Sequence, residues 1–218
     1  MKKQTGFTLI ELAIVLVIIG LLLGGVLKGQ ELIQSAKIKN VVNDFSSTTV
    51  SIYGYEDRYK ALPGNDANAA GRWTTANPLA TNGTGSGKLV GTFLDKAGKE
   101  TSQFWYHLRL AGFIGGSGEG GPSNAFNGVL GVQDGADSFN TVAGTGFKGV
   151  IVCESNISDK AAAAIDNQLD DGKPGTGNIR AVVQGATGAV APDATTKVNT
   201  TDVYIETGNT MYTLCKSQ

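Results

Sequence analysis

The chain has 218 residues, of which 31 are glycine, and its formal net charge is −1 at pH 7. Glycine is about twice as frequent as its usual share of roughly 7%, which predicts a globular part rich in turns and loops. Basic residues number 18 and acidic residues 19. Because the Lys/Arg clusters are confined to Lys2-Lys3 and Lys37/Lys39, the composition excludes the basic surface that nucleic-acid binding requires.

The N-terminus combines a short leader with a long apolar run. Residues 1–6 are basic and polar, and residues 7–27 are apolar with one charge. A conventional secretory signal places its small-residue cleavage site after the apolar core, whereas Gly6 precedes it. A cut after Gly6 would therefore remove the leader and leave the apolar segment on the mature chain. Positive charge ahead of the span keeps that end cytoplasmic, so the remainder is predicted to be translocated.

Residues 7–27 are predicted to be the transmembrane half of a long helix. A helix of this length extends about 31 Å at 1.5 Å per residue, enough to cross a hydrocarbon core of roughly 30 Å. The span contains Gly20, Gly24 and Gly25. These glycines leave points where the helix could stretch and small surfaces where neighbouring helices could pack closely.

Glu11 is the charged residue of this span. A carboxylate inside a membrane span costs on the order of 3 kcal/mol and usually has a partner. The span has no basic residue, so the partner is predicted to be a chain terminus, another protein or a proton. If the chain is cut after Gly6, Phe7 gains an α-ammonium. This ammonium could meet Glu11 of the same chain, at the i, i+4 spacing, or Glu11 of an adjacent subunit. The alternative is an ordinary anchor that tolerates a Glu near the membrane surface.

Residues 28–60 are predicted to be the amphipathic half of the same helix. Their apolar residues recur at intervals of three and four, which is typical of one helical face. The helix should end before Pro63, because proline disfavours helix in the residue that precedes it. The predicted buried face consists of Ile38, Val41, Val42, Phe45, Thr49, Ile52, Tyr55 and Tyr59.

Residues 61–218 are predicted to form a globular α+β head, with the long helix packed against an antiparallel β-sheet. Short helices are expected at 102–113 and, with Ser158 as N-cap, at 158–169. Five short apolar pieces bounded by Gly, Asn, Asp or Pro are predicted strands. They are residues 129–132, 149–153, 179–183, 203–205 and 212–215.

The two cysteines, Cys153 and Cys215, both lie in the C-terminal third. An exported head meets an oxidising compartment, so a disulfide between them is expected. Closing a loop of about 60 residues would contribute roughly 4 kcal/mol in the chain-entropy model. Two buried free thiols are the alternative, and the spacing excludes a C-x-x-C redox pair.

No catalytic residue, cofactor or metal centre is predicted. His107 is the one histidine, and a histidine without Ser, Cys or carboxylate neighbours in the sequence is more often structural than catalytic. The Gly-rich loop 82–87 is rich in oxygen atoms but lacks the carboxylates that a calcium site needs.

The string KQTGFTLIEL at residues 3–12 resembles the prepilin signature that type IV pilins share with type II secretion pseudopilins. The resemblance implies that a prepilin peptidase cuts after Gly6 and that the new N-terminal residue, Phe7, is N-methylated. It also implies that Glu11 is needed for assembly.

The resemblance extends into the head, where the motifs are less specific. Unlike many pilins, the chain lacks a proline near the end of the span. Gly24 and Gly25 are the candidates for the point at which the helix could unwind instead. Three head segments resemble one broad subfamily of bacterial pilin-like proteins. They are residues 59–66, 104–112 and 165–174.

The family implies a structural subunit of a type IV pilus or related filament. Such a subunit crosses the inner membrane once with a periplasmic head, and an inner-membrane assembly platform driven by an ATPase then polymerises it with itself or other pilins through the N-terminal helix. The product is a surface or periplasmic filament. A type II secretion pseudopilin is the alternative, and a disulfide between Cys153 and Cys215 favours the pilin. A non-polymerising membrane-anchored binding protein would need neither Gly6 nor Glu11.

A calcium site also stays open by resemblance, since some pseudopilins bind calcium in a C-terminal loop. Asp166, Asp170 and Asp171 are the candidates. The alternative is a solvated acidic turn that ends a helix.

Overall fold

This computed structural model describes residues 8–76, 80–136, 138–139, 146–185, 188–193, 196 and 198–218. The chain divides into two compact units, Met1–Lys37 and Ile38–Gln218. The predicted leader 1–6 and Phe7 lie outside the described residues. The long predicted helix is confirmed as α1, Leu9–Tyr59, which runs without interruption for 51 residues.

In the first unit, the described part of α1 exposes nearly all of its side chains. Leu9 is 88% exposed and Leu21 is 72% exposed. The helix forms because the segment is rich in Leu and Ile and contains no proline, although four glycines lower its helix propensity. Among the described residues, α1 is the helix long and apolar enough to cross a membrane.

The second unit is an α+β head, as predicted. Its four strands form one antiparallel sheet in the order β1-β2-β4-β3. Three further helices precede and interrupt the strands. The elements are α2 Ala69–Arg72, α3 Glu100–Leu110, β1 Leu130–Asp134, β2 Val150–Ser158, α4 Asp159–Leu169, β3 Ile179–Val183 and β4 Met211–Ser217.

One face of the sheet packs on helices. Val152 and Leu214 from this face share a core cluster with Val41, Phe45 and further residues of α1, α3 and α4. The buried residues of α1 begin at Val41 and repeat every three or four positions, which is the predicted amphipathic pattern. Helix on sheet is therefore confirmed.

The opposite face of the sheet is also buried, which the sequence analysis did not predict. Ile151, Cys153 and Cys215 lie in a second core cluster with Phe93 and Phe147 from the loops. The central strand β2 begins with the unbroken apolar run Val-Ile-Val-Cys, and such runs are typical of strands covered on both faces.

The element bounds differ modestly from the predictions. Helix α3 begins two residues before the predicted Ser102 and ends at Leu110, and Gly112 follows with φ +78°. A positive φ there suits glycine and stops the helix. Ser158 stands at the N-cap position of α4, but its side chain makes no capping hydrogen bond.

The predicted strand at 203–205 is wrong, because this segment is irregular in the structure. Tyr204 turns inward and donates its hydroxyl to Asp166 Oδ2 at 2.6 Å, while the amide of Ile205 donates to the Tyr212 hydroxyl at 2.8 Å. These side-chain bonds replace the backbone ladder, and Val203 and Ile205 face solvent.

Candidate functional site

Thr8 and Glu11 form a reciprocal cap at the start of α1. Glu11 Oε2 accepts hydrogen bonds from the Thr8 amide and from the Thr8 hydroxyl, each at 2.7 Å. The Glu11 amide in turn donates to Thr8 Oγ1 at 3.3 Å. Thr8 precedes the first helical residue, so Glu11 is at the N3 position, and the pair is a capping box that satisfies amides left free at the helix N-terminus.

This geometry adds a partner that the prediction for Glu11 did not include, since it considered a chain terminus, another protein or a proton. A polar partner lies three residues away, and the Thr-x-x-Glu spacing was present in the sequence as a capping signature. The predicted cleavage site Gly6 and the predicted methylation site Phe7 lie outside the described residues. The proposed contact between Glu11 and the Phe7 ammonium therefore stays a prediction.

The glycines of the apolar part of α1 make no close contacts with the described residues of the subunit. A Cβ atom added at Gly20, Gly24, Gly25 or Gly29 would meet nothing within 4 Å among the described residues. Each glycine lowers helix propensity by about 1 kcal/mol relative to alanine. The described residues offer no intramolecular contact that offsets this cost.

Cys153 and Cys215 are joined by a disulfide with a Cα–Cα distance of 4.0 Å. They are directly opposite each other on β2 and β4, the two central strands. Both side chains are buried in the second core cluster. The bond therefore joins the two central strands of the sheet, β2 and β4.

The acidic cluster at the end of α4 is held by its own loop. Oxygens of Asp166, Asp170 and Asp171 lie within 4.8 Å of one another. Asp170 Oδ2 accepts the Ile179 amide at 2.9 Å, and Asp171 Oδ1 accepts the Lys173 amide at 3.0 Å. The carboxylates thus shape the turn between α4 and β3 by accepting backbone amides.

Asp166 is the buried member of this cluster. It accepts hydrogen bonds from the Tyr204 hydroxyl and from the Gly172 amide. Burial raises the pKa of Asp166 to about 6, these two hydrogen bonds oppose the rise, and Asp171 and Asp170 add to it. The turn is therefore not the fully solvated one that the sequence alternative described.

The Gly-rich loop 82–87 is organised by Asn65 and Glu100. Asn65 Nδ2 lies 2.8 Å from Thr84 Oγ1 and 2.9 Å from Glu100 Oε1, and Asn65 Oδ1 accepts the Gly87 amide at 2.7 Å. The amide orientation follows from these bonds, because only Oδ1 can accept. The sequence analysis found no carboxylate for this loop, and in the structure Glu100 of α3 supplies one. The space between the Glu100 and Thr84 oxygens is occupied by the Asn65 amide group, which donates to both.

His107 is structural, as predicted. The Gly64 amide donates to its Nδ1 at 2.9 Å, so the neutral ring carries its proton on Nε2, which lies 3.0 Å from the Thr81 carbonyl oxygen. Burial, the main cause, lowers the pKa of His107 to about 4. A neutral ring with both nitrogens bound to the backbone ties the turn after α1 to Thr81.

A network of aromatic and charged groups joins the end of α1 to the same turn. The Tyr55 hydroxyl donates to Asp66 Oδ2 at 2.7 Å, and Arg72 forms an ion pair with the same carboxylate. The Arg72 guanidinium also lies 4.7 Å from the centre of the Tyr59 ring. Sequence reasoning placed the end of the helix before Pro63 but missed this network, because its partners are distant in sequence.

Comparison with known protein families matches the N-terminus of the chain. No curated protein matches the chain as a relative. A family model described as the prokaryotic N-terminal methylation motif matches residues 1–27. Proteins with this motif are structural rather than enzymatic, and the motif implies processing by prepilin peptidase and filament assembly in general. Together with the apolar helix it supports membrane anchoring. The chain therefore carries at residues 1–27 the signature of type IV pilins and pseudopilins.

Proposed function

We propose that the chain is the precursor of a structural subunit of a type IV pilus or related filament. The observation that carries this proposal is the continuity of the methylation motif with α1, whose apolar side chains in the first unit find no partners within the described chain. Exposed leucine and isoleucine side chains over this length need a lipid or protein environment.

Processing is the first step of the proposed function. A prepilin peptidase removes the leader 1–6 by cutting after Gly6, and the new N-terminal Phe7 is methylated. The mature chain then consists of the transmembrane half 7–27, the amphipathic half 28–60 and the head 61–218. Lys2 and Lys3 keep the N-terminus cytoplasmic, so the head lies in the periplasm before assembly.

Assembly transfers α1 from lipid to a bundle of identical helices. Lipid tails are about as apolar as the helix surface, so the transfer has little hydrophobic driving force. An inner-membrane assembly platform must therefore supply the energy. Close helix packing favours the bundled state, and the unpacked surfaces at Gly20, Gly24, Gly25 and Gly29 are where neighbouring helices would approach.

Glu11 sets the axial position of neighbouring subunits in this mechanism. Its capping bonds to Thr8 both use Oε2, so Oε1 can accept a further donor without breaking the cap. The ammonium of Phe7 on an adjacent subunit would supply this donor. A charge-assisted bond in a low-dielectric filament core is strong, and its geometry fixes the step between helices.

A type II secretion pseudopilin is the second candidate, because it shares the same N-terminal motif. The disulfide between Cys153 and Cys215 favours the pilin. No catalytic step belongs to either candidate. The partners in both cases are other pilins and the assembly platform, and the product is a surface or periplasmic filament.

The test is mass spectrometry of filaments sheared from cells that express the protein. We expect an abundant chain that begins at methylated Phe7. Absence from the filaments, together with a secretion defect on deletion, would identify a pseudopilin. A native chain that begins at Met1, or one that lacks residues 7–27, would overturn the proposal.

A further inference from the structure

A carboxyl group lies in the core of the head, between the sheet and α1, and the filament function does not account for it. We propose that Glu154 is a proton-binding site: it keeps its proton in the folded head at neutral pH, and loss of this proton in alkaline solution weakens the packing of the sheet on residues 38–59 of α1. This inference concerns the head alone and does not rest on polymerisation.

Glu154 occupies the middle of β2 and has 0% of its surface exposed. Its neighbours across the sheet are Leu130 on β1 and Leu214 on β4. Both leucines belong to the core cluster that contains Val41 and Phe45 of α1. Since residues opposite each other in antiparallel strands share a face, the Glu154 side chain points into the core beneath α1.

The Asn124 amide approaches the carboxyl group of Glu154, but it donates its hydrogen bond to the Ser155 carbonyl at 2.8 Å instead. Neither Oε1 nor Oε2 has a hydrogen-bond partner among the described residues. An isolated ion in such surroundings is far less favourable than the neutral acid, so a buried unpaired carboxyl group normally takes up a proton.

The nearest charge makes ionisation still less favourable. Burial is the main cause that raises the pKa of Glu154 well above its usual range, the carboxylate of Asp44 on α1 raises it further, and the Asn124 amide partly opposes the rise. Asp44 is itself only partly exposed, so its charge is incompletely screened. Glu154 is therefore the group of this pair that holds the proton.

Other charged groups near β2 are engaged elsewhere. Lys216 lies across from Val152 on the same face, but its Nζ donates to the Ser217 carbonyl at 3.3 Å. Arg180 pairs with Cys215 and so lies on the other face of the sheet. Asp134 of β1 and Asp159 of α4 accept the amides of Ala136 and Gly208 respectively.

The sign of the pH effect follows from the raised pKa. The folded head binds a proton that the unfolded chain releases above about pH 4.3. The stability that Glu154 contributes is present below the unfolded pKa and is lost as pH rises through the folded pKa. The contribution of Glu154 to stability is therefore largest in acid, falls as pH rises above about 4.3, and is lost once the folded head releases the proton.

Thermal unfolding of the full chain in detergent micelles tests this, measured from about pH 5 to about pH 9. We compare wild type with Glu154→Gln, a neutral isostere, and with Glu206→Gln, a control at an exposed position. We expect the Tm of wild type to fall relative to that of Glu154→Gln by on the order of 5 °C over this range. Glu206→Gln should follow wild type. Parallel curves for wild type and Glu154→Gln would overturn the proposal.

Infrared spectroscopy gives a second measurement on the folded wild type, which is independent of how Glu154→Gln folds. We expect a protonated-carboxyl stretch at neutral pH that Glu154→Gln lacks. Asp44→Asn should shift the loss of this band to lower pH, because it removes the negative charge that helps to raise the pKa of Glu154. A competing ion pair with Lys216 is tested by Lys216→Met. If the band is absent from wild type and appears in Lys216→Met, Glu154 is ionised and the proposal fails.

Discussion

Thr8 and Glu11 are hydrogen-bonded across the first turn of α1: the Thr8 amide and the Thr8 hydroxyl both donate to Glu11 Oε2, each at 2.7 Å. Glu11 therefore has a structural use in the isolated subunit before any neighbour is present. A glutamine can replace glutamate in a capping box, whereas only a charged carboxylate can neutralise an ammonium in a filament core. The two roles of Glu11 can be separated by substitution.

Glu11→Gln is expected to leave processing and membrane insertion intact and to reduce incorporation into filaments at least about tenfold. The reason is that the variant leaves the Phe7 ammonium without a carboxylate, and an unmatched charge within an apolar span costs on the order of 3 kcal/mol. The glutamine keeps the capping geometry at Thr8. The measurement is the ratio of subunit in sheared filaments to subunit in membranes, by immunoblot.

Thr8→Ala is the matched control for this prediction. It removes both bonds of the Thr8 hydroxyl, the one donated to the Glu11 carboxylate and the one accepted from the Glu11 amide. It keeps the carboxylate and the bond from the Thr8 amide, so incorporation should stay within a few-fold of wild type. If Thr8→Ala blocks assembly and Glu11→Gln does not, capping rather than charge is the role of Glu11.

The local elements of this structure were predictable from the sequence, whereas most contacts between distant residues were not. The disulfide between Cys153 and Cys215 is the exception, because the chain has two cysteines. Helix α1 followed from hydrophobic periodicity and the absence of proline, and four strands followed from short apolar runs. The segment 203–205 has the same appearance, but Tyr204 bonds to Asp166, 38 positions earlier in the chain. No local pattern records that pairing.

The same limit applies within the candidate site. The Thr8-x-x-Glu11 cap was readable, because both partners lie within four positions. Glu154 was not recognised as a core residue, because its burial depends on Leu130 and Leu214 from other strands. Glu100 could not be assigned to the loop 82–87 for a similar reason, since it reaches the loop only when α3 packs there.

His107 predicts a loss of stability in acid. Its pKa is lowered to about 4 in the folded head, so the unfolded chain binds a proton first as pH falls. The stability that the neutral ring contributes is present above about pH 6.5 and is lost as pH falls towards 4. The contribution is on the order of 3 kcal/mol at about 1.4 kcal/mol per pKa unit.

The measurement for His107 is the slope of unfolding free energy against pH, from denaturant titrations of wild type and His107→Asn. We expect the variant to be less stable throughout, because two buried bonds change, but to lack the acid-dependent loss. An acid slope that is identical in the two proteins would show that another group causes it.

Asp166 predicts the opposite slope in nearly the same range. Its pKa is raised to about 6, so the folded state holds a proton that the unfolded chain releases. Its contribution to stability is present below about pH 3.8 and is lost as pH rises through 6. In wild type the pH-dependent contributions of Asp166 and His107 to the free energy of unfolding partly cancel between about pH 4 and pH 6.

Asp166→Asn removes the contribution that opposes that of His107. The free energy of unfolding of the variant should therefore fall more steeply in acid than that of wild type. The same denaturant titrations measure it, with Asp202→Asn as a control, because Asp202 bonds within its own turn to Asn199. A slope that Asp166→Asn leaves unchanged would contradict the assignment of this titration to Asp166.

Asn65 predicts the stability of the Gly-rich loop. The side chain is 3% exposed and binds Thr84, Gly87 and Glu100 together. Asn65→Ala removes the bonds to Thr84, Gly87 and Glu100, and each hydrogen bond contributes about 0.5–1.5 kcal/mol, or more where one partner is charged. We expect a loss of roughly 2–4 kcal/mol in unfolding free energy and faster proteolysis within 82–87.

Asn82→Ala is the matched control, since its side-chain oxygen accepts one exposed amide, that of Ala70 at 2.8 Å. Its loss should be below about 1 kcal/mol. Asn65→Asp tests the direction of the Asn65 bonds, because it places a second carboxylate beside Glu100 without a donor. It should be at least as destabilising as Asn65→Ala at neutral pH and should recover partly in acid, where one carboxyl group of the pair takes up a proton. A variant Asn65→Asp as stable as wild type would mean that Nδ2 is not the donor that holds the loop.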